Sequence, residues 1–487
     1  MTGHLPAGAP PPDLAEGGTL PGAFTAAWRA DPAHPTLSTA DATVTAGELA
    51  DRTEVAAGRY AAAGLVPGDR VLVSAGTSVD LVVAYVGALR AGLVVVPANP
   101  AYPPAELAAL ATAAGPTLSI LDDPGRLADH PSTAPDLSGL PPARTDVVLD
   151  AASPEDTALV IYTSGTTGAP KGVPLSHANL LASAHAVRLA WRWTPADTLS
   201  LSLPLFHVHG LAVGLHGTLV TGASARLLSK FEPGAVAESI HSGATLFFGV
   251  PTMYHRLAES PHLADLRGLR LAVSGSAPLP AELHETVRAA CGQVVLERYG
   301  MTETIMLVSN PYEGERRPGT VGFPLPGVEL RLHPHGPGVE EIQVRGPNVI
   351  RGYLSPSDTE AAFTPDGWFR TGDLGELDAD GYLRISGRMK ELIITGGYNV
   401  YPREVEEVLR AHPLVADAAV VGLPSSRWGE TVAAFVVPVE GATEAVVSTL
   451  ETFVAERLVD YKRPREWRLV PEIPRNALGK ILRHQLT

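Results

Sequence analysis

The amino-acid sequence predicts an α/β protein, with a large N-terminal domain of sheets layered by helices plus a barrel-like β part, and a small α+β domain behind it. Three observations carry the prediction. Short strand-like apolar runs alternate with Ala/Leu-rich helical stretches as far as Tyr299, the pattern of a largely parallel sheet. Between about Thr320 and Ser386 Gly/Pro-punctuated strands take over. After "RISGRMKELI" a shorter mixed segment follows, with a boundary expected near Gly387 to Lys390, which gives domains at 1–387 and 388–487.

In chain order, strands are expected at "RVLVSAG", "LVVVPA", "TLSIL", "TLFFGVP", "LRLAVSGS" and "QVVLERYG". Each is a short apolar run bounded by turn-forming residues. The longest apolar run, "LVVAYVGALRAGLVVVPANP" from Leu81, carries Arg90 and Gly92 in its middle. It is therefore expected as a buried helix turning into a buried strand, not as a membrane span. "VELRLH" and "EIQVRG" read as antiparallel strands of the barrel-like part.

With 487 residues the chain can hold two or three domains. Its 45% hydrophobic and 18% charged content is that of a soluble globular protein. A net charge of −15 argues against nucleic acid or a membrane as partner. An anionic substrate must then be met by local positive groups. The single cysteine, Cys291, excludes a disulfide framework and fits a cytoplasmic setting. Residues 1–20 lack the basic start and apolar block of a signal peptide. Of the 37 basic residues only Lys171, Lys230, Lys390, Lys462 and Lys480 are lysines. Three of them, Lys171, Lys390 and Lys480, lie in glycine-containing motifs, which marks these motifs for chemistry.

"VIYTSGTTGAPKGVPLSHANL", Val160 to Leu180, sets Ser, Thr and Gly around Lys171 after an apolar run. Such a loop offers backbone N–H groups and hydroxyls to phosphate oxygens, and the lysine adds a point charge. It is not a Walker A loop, because Pro170 precedes the lysine and Gly172 follows it.

The segment resembles the phosphate loop of the adenylate-forming superfamily of acyl-CoA synthetases, luciferases and adenylation domains. Further matches follow in the family's order: "YGMTET" from Tyr299, "WFRTGD", "SGRMKELIITGGYNVYPREVE" and "PRNALGKILR". The resemblance implies ATP, Mg²⁺ and CoA as co-substrates, small-molecule substrates, and no obligatory protein partner. It places ATP on Thr163, Ser164, Gly165, Thr166, Thr167, Gly168, Lys171, Gly275, Ser276, Ala277, Glu297, Arg298, Tyr299, Gly300, Met301 and Thr302, with Asp373 and Arg388 at the ribose. Thr163 and Glu303 would hold the metal, Glu303 as the hard oxygen ligand that Mg²⁺ requires. Lys480 takes the role of the catalytic lysine, and Lys390 that of the pivot of a mobile C-terminal domain.

Attack of a carboxylate on the α-phosphorus of ATP brings anions together, so the site must neutralise charge without offering a competing nucleophile. Lys171 suits the departing phosphates, and Lys480 the carboxylate and α-phosphate. His207 in "LPLFHVHG" resembles the residue that walls the acyl pocket, with His209 a weaker candidate. For the thioester step the resemblance implies rotation about Lys390, which withdraws Lys480 and brings up Gly396, Gly397 and Tyr398 for the pantetheine arm. Arg403, Lys462, Arg463 and Arg475 are candidates for the CoA phosphates.

For the acid, Arg256 in "PTMYHRL" suits a second carboxylate, because arginine stays ionised and grips carboxylate in a fork. With Ser276 or Ser274 and Met306 it resembles the malonyl-CoA and methylmalonyl-CoA synthetases. An adenylation enzyme that loads a carrier protein and a non-catalytic adenylate-binding protein stay open as alternatives.

Overall fold

Each short run expected as a strand folds as one in the computed structural model, which describes residues 3–5, 12–16, 18–128, 130–163, 171–336, 339–439, 446–476 and 479–486. Arg70–Ser74, Val94–Pro97 and Leu118–Leu121 pair in parallel within a six-stranded sheet. Thr198–Leu201, Ser224–Leu227, Leu246–Gly249, Leu271–Ser274 and Leu296–Tyr299 form the parallel interior of a nine-stranded sheet. Every residue of Leu246–Gly249 and Leu271–Ser274 is buried. Helices cover both faces of such strands, which is why they read as continuous apolar runs.

The long apolar run divides as expected. Helix Val79–Arg90 starts at Ser78, whose hydroxyl accepts from the Leu81 N–H, and strand Val94–Pro97 follows past Gly92, at φ +75°. Arg90 is buried because Nη1 donates to the Ala50 carbonyl and to Thr53 Oγ1, both at 2.9 Å, while Nε meets Asp150 at 3.2 Å. A buried cation so satisfied avoids most of its desolvation penalty. Among the described residues no helix is long and apolar enough to cross a membrane.

The β-rich part is a four-stranded antiparallel meander of Glu329–Gly336, Val339–Arg345, Phe369–Leu377 and Leu383–Arg388. It is joined to the nine-stranded sheet through a bridge between Gly322 and Leu383. After the turn Met389–Glu391, strand Ile393–Thr395 enters a different, five-stranded sheet. Helix Pro402–Arg410 covers that sheet. Proline opens it, and Val405 and Leu409, one turn apart, are buried while Glu407 is exposed. The core there, which includes Ile393, Val420, Ala434 and Leu450, is separate from the large N-terminal core. The protein is thus a mixed α/β fold with a large N-terminal domain of layered sheets and a smaller C-terminal one.

Candidate active site

The site is built where the parallel strands Leu271–Ser274 and Leu296–Tyr299 end side by side, Ser274 opposite Glu297. A Cβ on Gly275 would lie 2.4 Å from the guanidinium carbon of Arg298, so only glycine lets that side chain pass. Ser276 takes a left-handed φ of +69°, a strain that persists only where surrounding structure enforces it. Its hydroxyl lies 3.3 Å from His209 Nδ1. His209 opens the π-helical segment His209–Leu215. A Cβ on Gly210 would fall 2.3 Å from the Pro204 carbonyl oxygen, so the loop carrying His207 and His209 is tightly folded.

Arg298 is 6% exposed, and its Nε and Nη2 have no hydrogen-bond partner among the described residues. Burial lowers its pKa to about 9. His209 Nε2 is likewise buried without a partner. Burial, then the neighbouring charge of Arg298, holds the His209 imidazole well below its usual pKa. Burial pushes His207 down to about 4. Both rings are therefore neutral at physiological pH. A hydroxyl, two neutral imidazoles and a buried cation lacking a counter-ion make a receptor for an anion.

On the other side, the Tyr299 hydroxyl donates to Asp373 Oδ2 at 2.5 Å and Arg388 Nε meets Asp373 Oδ1 at 3.1 Å. Asp373 and Arg388 face each other across the antiparallel pair Phe369–Leu377 and Leu383–Arg388. Burial of Tyr299 raises its pKa well above the ordinary value. Lys480 also belongs here. Burial first, then the Arg388 charge, lowers its pKa to about 8, with Glu391 and Asp373 opposing. Gly479, at φ +77°, lets the chain approach Thr252, whose Cγ2 a Cβ would meet at 2.8 Å. The lysine of the C-terminal domain is thus seated at the N-terminal site. Lys390 lies in the turn Met389–Glu391, and burial, then Arg388, lowers its pKa.

The Gly/Ser/Thr loop is framed by its two ends. Thr163 pairs with Lys171 in the antiparallel register of Thr157–Thr163 and Lys171–Ser176. Ser164, Gly165, Thr166, Thr167 and Gly168 lie outside the described residues. Lys171 Nζ is 2.6 Å from Asp358 Oδ1 and 5.6 Å over the Tyr353 ring. The Tyr353 hydroxyl donates to Glu303 Oε1 at 2.9 Å. Glu303 is 7% exposed and forms no ion pair among the described residues. A buried, unneutralised carboxylate is the hard donor that Mg²⁺ takes when phosphates supply further oxygens. Glu303 therefore has the chemistry of a ligand to the metal. Asp358 and Tyr353 carry no signal in the sequence that ties them to the loop.

Several expected residues sit elsewhere. Arg256 does not enter a pocket: its guanidinium pairs with Glu232 at 3.1 Å and lies 4.9 Å over Phe231, with half its side chain exposed. Helix Pro251–Ala258 buries Tyr254 and Leu257, which turns Arg256 to the opposite face. The Glu297 carboxylate is occupied by His284 at 2.8 Å and by the N–H groups of Leu279 and Gly319 at 3.1 and 3.0 Å. These bonds hold the strand end in place. Met306 is in the main core, and its carbonyl accepts from Asn348. Gly300 is needed because a Cβ would lie 2.1 Å from the Ile305 carbonyl oxygen. Ala277, Met301 and Thr302 are half-buried on the loops that follow the strands.

The residues expected to meet CoA are held by protein partners in this arrangement, within the C-terminal part except for Arg403, whose Nη1 also donates to the Ile385 carbonyl at 2.6 Å. Arg403 is held by Glu407 at 2.7 Å, Lys462 by Glu404 at 2.7 Å, and Arg475 by Asp417 at 2.6 Å. Arg463 donates to the Leu458 and Ala455 carbonyls. Gly396 and Gly397 have φ of +57° and +83°, and Tyr398 stacks on Tyr461 at 4.5 Å.

Residues 24–354 match the AMP-binding enzyme family, and residues 404–480 the AMP-binding enzyme C-terminal domain. A sulfoacetate–CoA ligase of Cupriavidus necator is 39% identical over 469 residues, covering 91% of this chain and 92% of its own. The ATP-bound structure of MatB from Rhodopseudomonas palustris is 38% identical and superposes with a TM-score of 0.89, covering 96% of this chain and 98% of its own. A malonyl-CoA ligase in a ternary product complex with methylmalonyl-CoA and AMP is 45% identical, covers 91% and 98%, and superposes with a TM-score of 0.67. ATP, Mg²⁺ and CoA are accordingly the co-substrates. The chain belongs to the AMP-binding enzyme family and is an acid–thiol ligase, which joins a carboxylic acid to CoA.

Proposed function

We propose that the acid is a short dicarboxylate, malonate or methylmalonate, activated as its acyl-adenylate with release of pyrophosphate and passed to CoA with release of AMP. The observation that carries this reading is the buried, unpaired guanidinium of Arg298 beside His209 and Ser276. A monocarboxylate would leave that cation desolvated and unpaired. A distal carboxylate neutralises it, and the Ser276 hydroxyl and neutral imidazoles fill out its hydrogen bonds. The similar ligases point the same way, since malonate and sulfoacetate are both short acids with a second anionic group.

In this reading the reacting carboxylate lies between the anion receptor and Lys480. Lys171 holds the departing phosphates and Asp373 the ribose hydroxyls. Glu303 and Thr163 would hold Mg²⁺, which would supply neutralisation of the phosphate charge. Lys480 stabilises the charge developing between carboxylate and α-phosphate.

Pyrophosphate release and thioester formation, measured over malonate, methylmalonate, sulfoacetate, acetate, butyrate and octanoate with and without CoA, test the reading. Malonate or methylmalonate should give the highest kcat/KM, with acetate lower by about 10²-fold or more, the cost of leaving a buried charge without its partner. Preference for octanoate or acetate would overturn the dicarboxylate assignment. Preference for sulfoacetate would keep the anion receptor and change the second anion to a sulfonate.

A further inference from the structure

Lys171 is held in an ion pair. Its ammonium lies 2.6 Å from Asp358 Oδ1, and the two side chains are each 28% exposed. The backbone fixes this contact: the Leu354 N–H donates to the Gly172 carbonyl at 3.0 Å, and a Cβ on Gly172 would strike the Leu354 side chain at 2.6 Å. Tyr353, beside Leu354, lies under the Lys171 ammonium and donates to Glu303. The segment Tyr353–Asp358 therefore touches both the lysine proposed for the phosphates and the carboxylate proposed for the metal. Nothing in the adenylation chemistry requires a carboxylate on that lysine, and its negative charge opposes a phosphate at the same ammonium.

We propose that Asp358 is a competing counter-ion for Lys171, which polyphosphate must displace on entry and which recaptures the lysine as pyrophosphate leaves. This rests on the proposed role of Lys171. Asp358 thereby weakens the hold on pyrophosphate, the product whose retention would favour the reverse reaction. It is a positioning residue, because it acts through Lys171 and touches no reacting atom.

The test is calorimetric binding of inorganic pyrophosphate and of ATP, each with Mg²⁺, to four proteins: the parent, Asp358→Asn, Lys171→Ala and the double variant. Asn keeps the size of Asp358 and removes its charge, so circular dichroism and Tm should match the parent. Asp358→Asn should bind pyrophosphate about two- to fivefold more tightly, the range that a partly exposed ion pair is worth. The tightening should vanish in the Lys171→Ala background, and Asp358→Glu should behave as the parent does. Unchanged or weaker pyrophosphate binding by Asp358→Asn overturns the proposal, as does tightening that persists without Lys171. If Lys171→Ala itself binds pyrophosphate as well as the parent, the phosphate role of Lys171 fails instead.

Discussion

At the scale of single residues, two arginines separate what the sequence reveals from what only the fold decides. Arg256 lies in a helix that starts beside the site, yet that helix packs its inner face through Tyr254 and Leu257 and leaves Arg256 to Glu232. Arg298 lies inside a motif that resembles a nucleotide-binding one, and nothing in its neighbours reveals that it is buried and unpaired. Burial is a property of packing between strands distant in sequence, so the motif places Arg298 on its strand, and the proposed reading gives its guanidinium to the acid where the resemblance implies ATP. Gly275, Gly300, Asp373 and Lys480 stand out in the sequence by their motifs, whereas the close approaches that Gly275 and Gly300 permit are visible only in the packing. On the proposed reading, Arg298→Met should lower kcat/KM for malonate by about 10²- to 10³-fold, as removal of one partner of a buried pair does. The same change should raise Tm, because the free enzyme loses an uncompensated buried cation. Arg256→Ala should leave malonate kcat/KM within about twofold, since an exposed pair contributes little. A large loss with Arg256→Ala and none with Arg298→Met, read from steady-state kinetics and thermal melts, would return the distal carboxylate to Arg256.

Elements were more legible than contacts, because a buried parallel strand must be an unbroken apolar run and a Gly/Pro boundary must interrupt it. The helix-to-strand reading of residues 81–100 holds for that reason, down to the turn at Gly92. The π-helical segment His209–Leu215 was not legible. Its widened turn, in which the Val213 N–H donates to the Val208 carbonyl, follows from packing under the sheet and leaves no periodicity in seven residues. Such segments recur at functional sites, and here the widened turn sets His209 against Ser276. Gly210→Ala should test how far this element positions the site. A methyl 2.3 Å from the Pro204 carbonyl oxygen cannot be accommodated by side-chain movement. The backbone must shift, at about 1–3 kcal/mol. Tm should fall and KM for the acid should rise while KM for ATP holds, because Asp373 and Lys171 lie on other elements. Equal increases in both KM values would show general loosening and remove the positioning role.

At the scale of the whole molecule, one lysine from the C-terminal domain sits in the N-terminal site, and the basic residues expected to meet CoA are occupied elsewhere. This arrangement matches the closer superposition on the ATP-bound structure than on the product complex, although the latter is closer in sequence. The rotation of the smaller domain about Lys390 that the family resemblance implies would account for the difference, and we propose it for this chain. Lys480 is the residue through which that rotation can be tested. Burial holds its pKa near 8 in the free enzyme, and the role proposed for it needs the charged form. The sign is then fixed: the ammonium is present below that value and is lost as pH rises through it, so kcat/KM for acyl-adenylate formation should fall above pH of about 8. Lys480→Ala should slow adenylate formation by about 10²- to 10³-fold, the loss typical of removing one preorganised charge stabiliser, and should abolish that alkaline limb. Given pre-made malonyl-adenylate and CoA, the variant should form thioester at the parent's rate, because the rotation withdraws Lys480 from the carbonyl that the thiol attacks. Single-turnover measurements of the two half-reactions decide between this and a static site. A variant impaired equally in both would place Lys480 at the carbonyl throughout, and the two reactions would then share one domain arrangement.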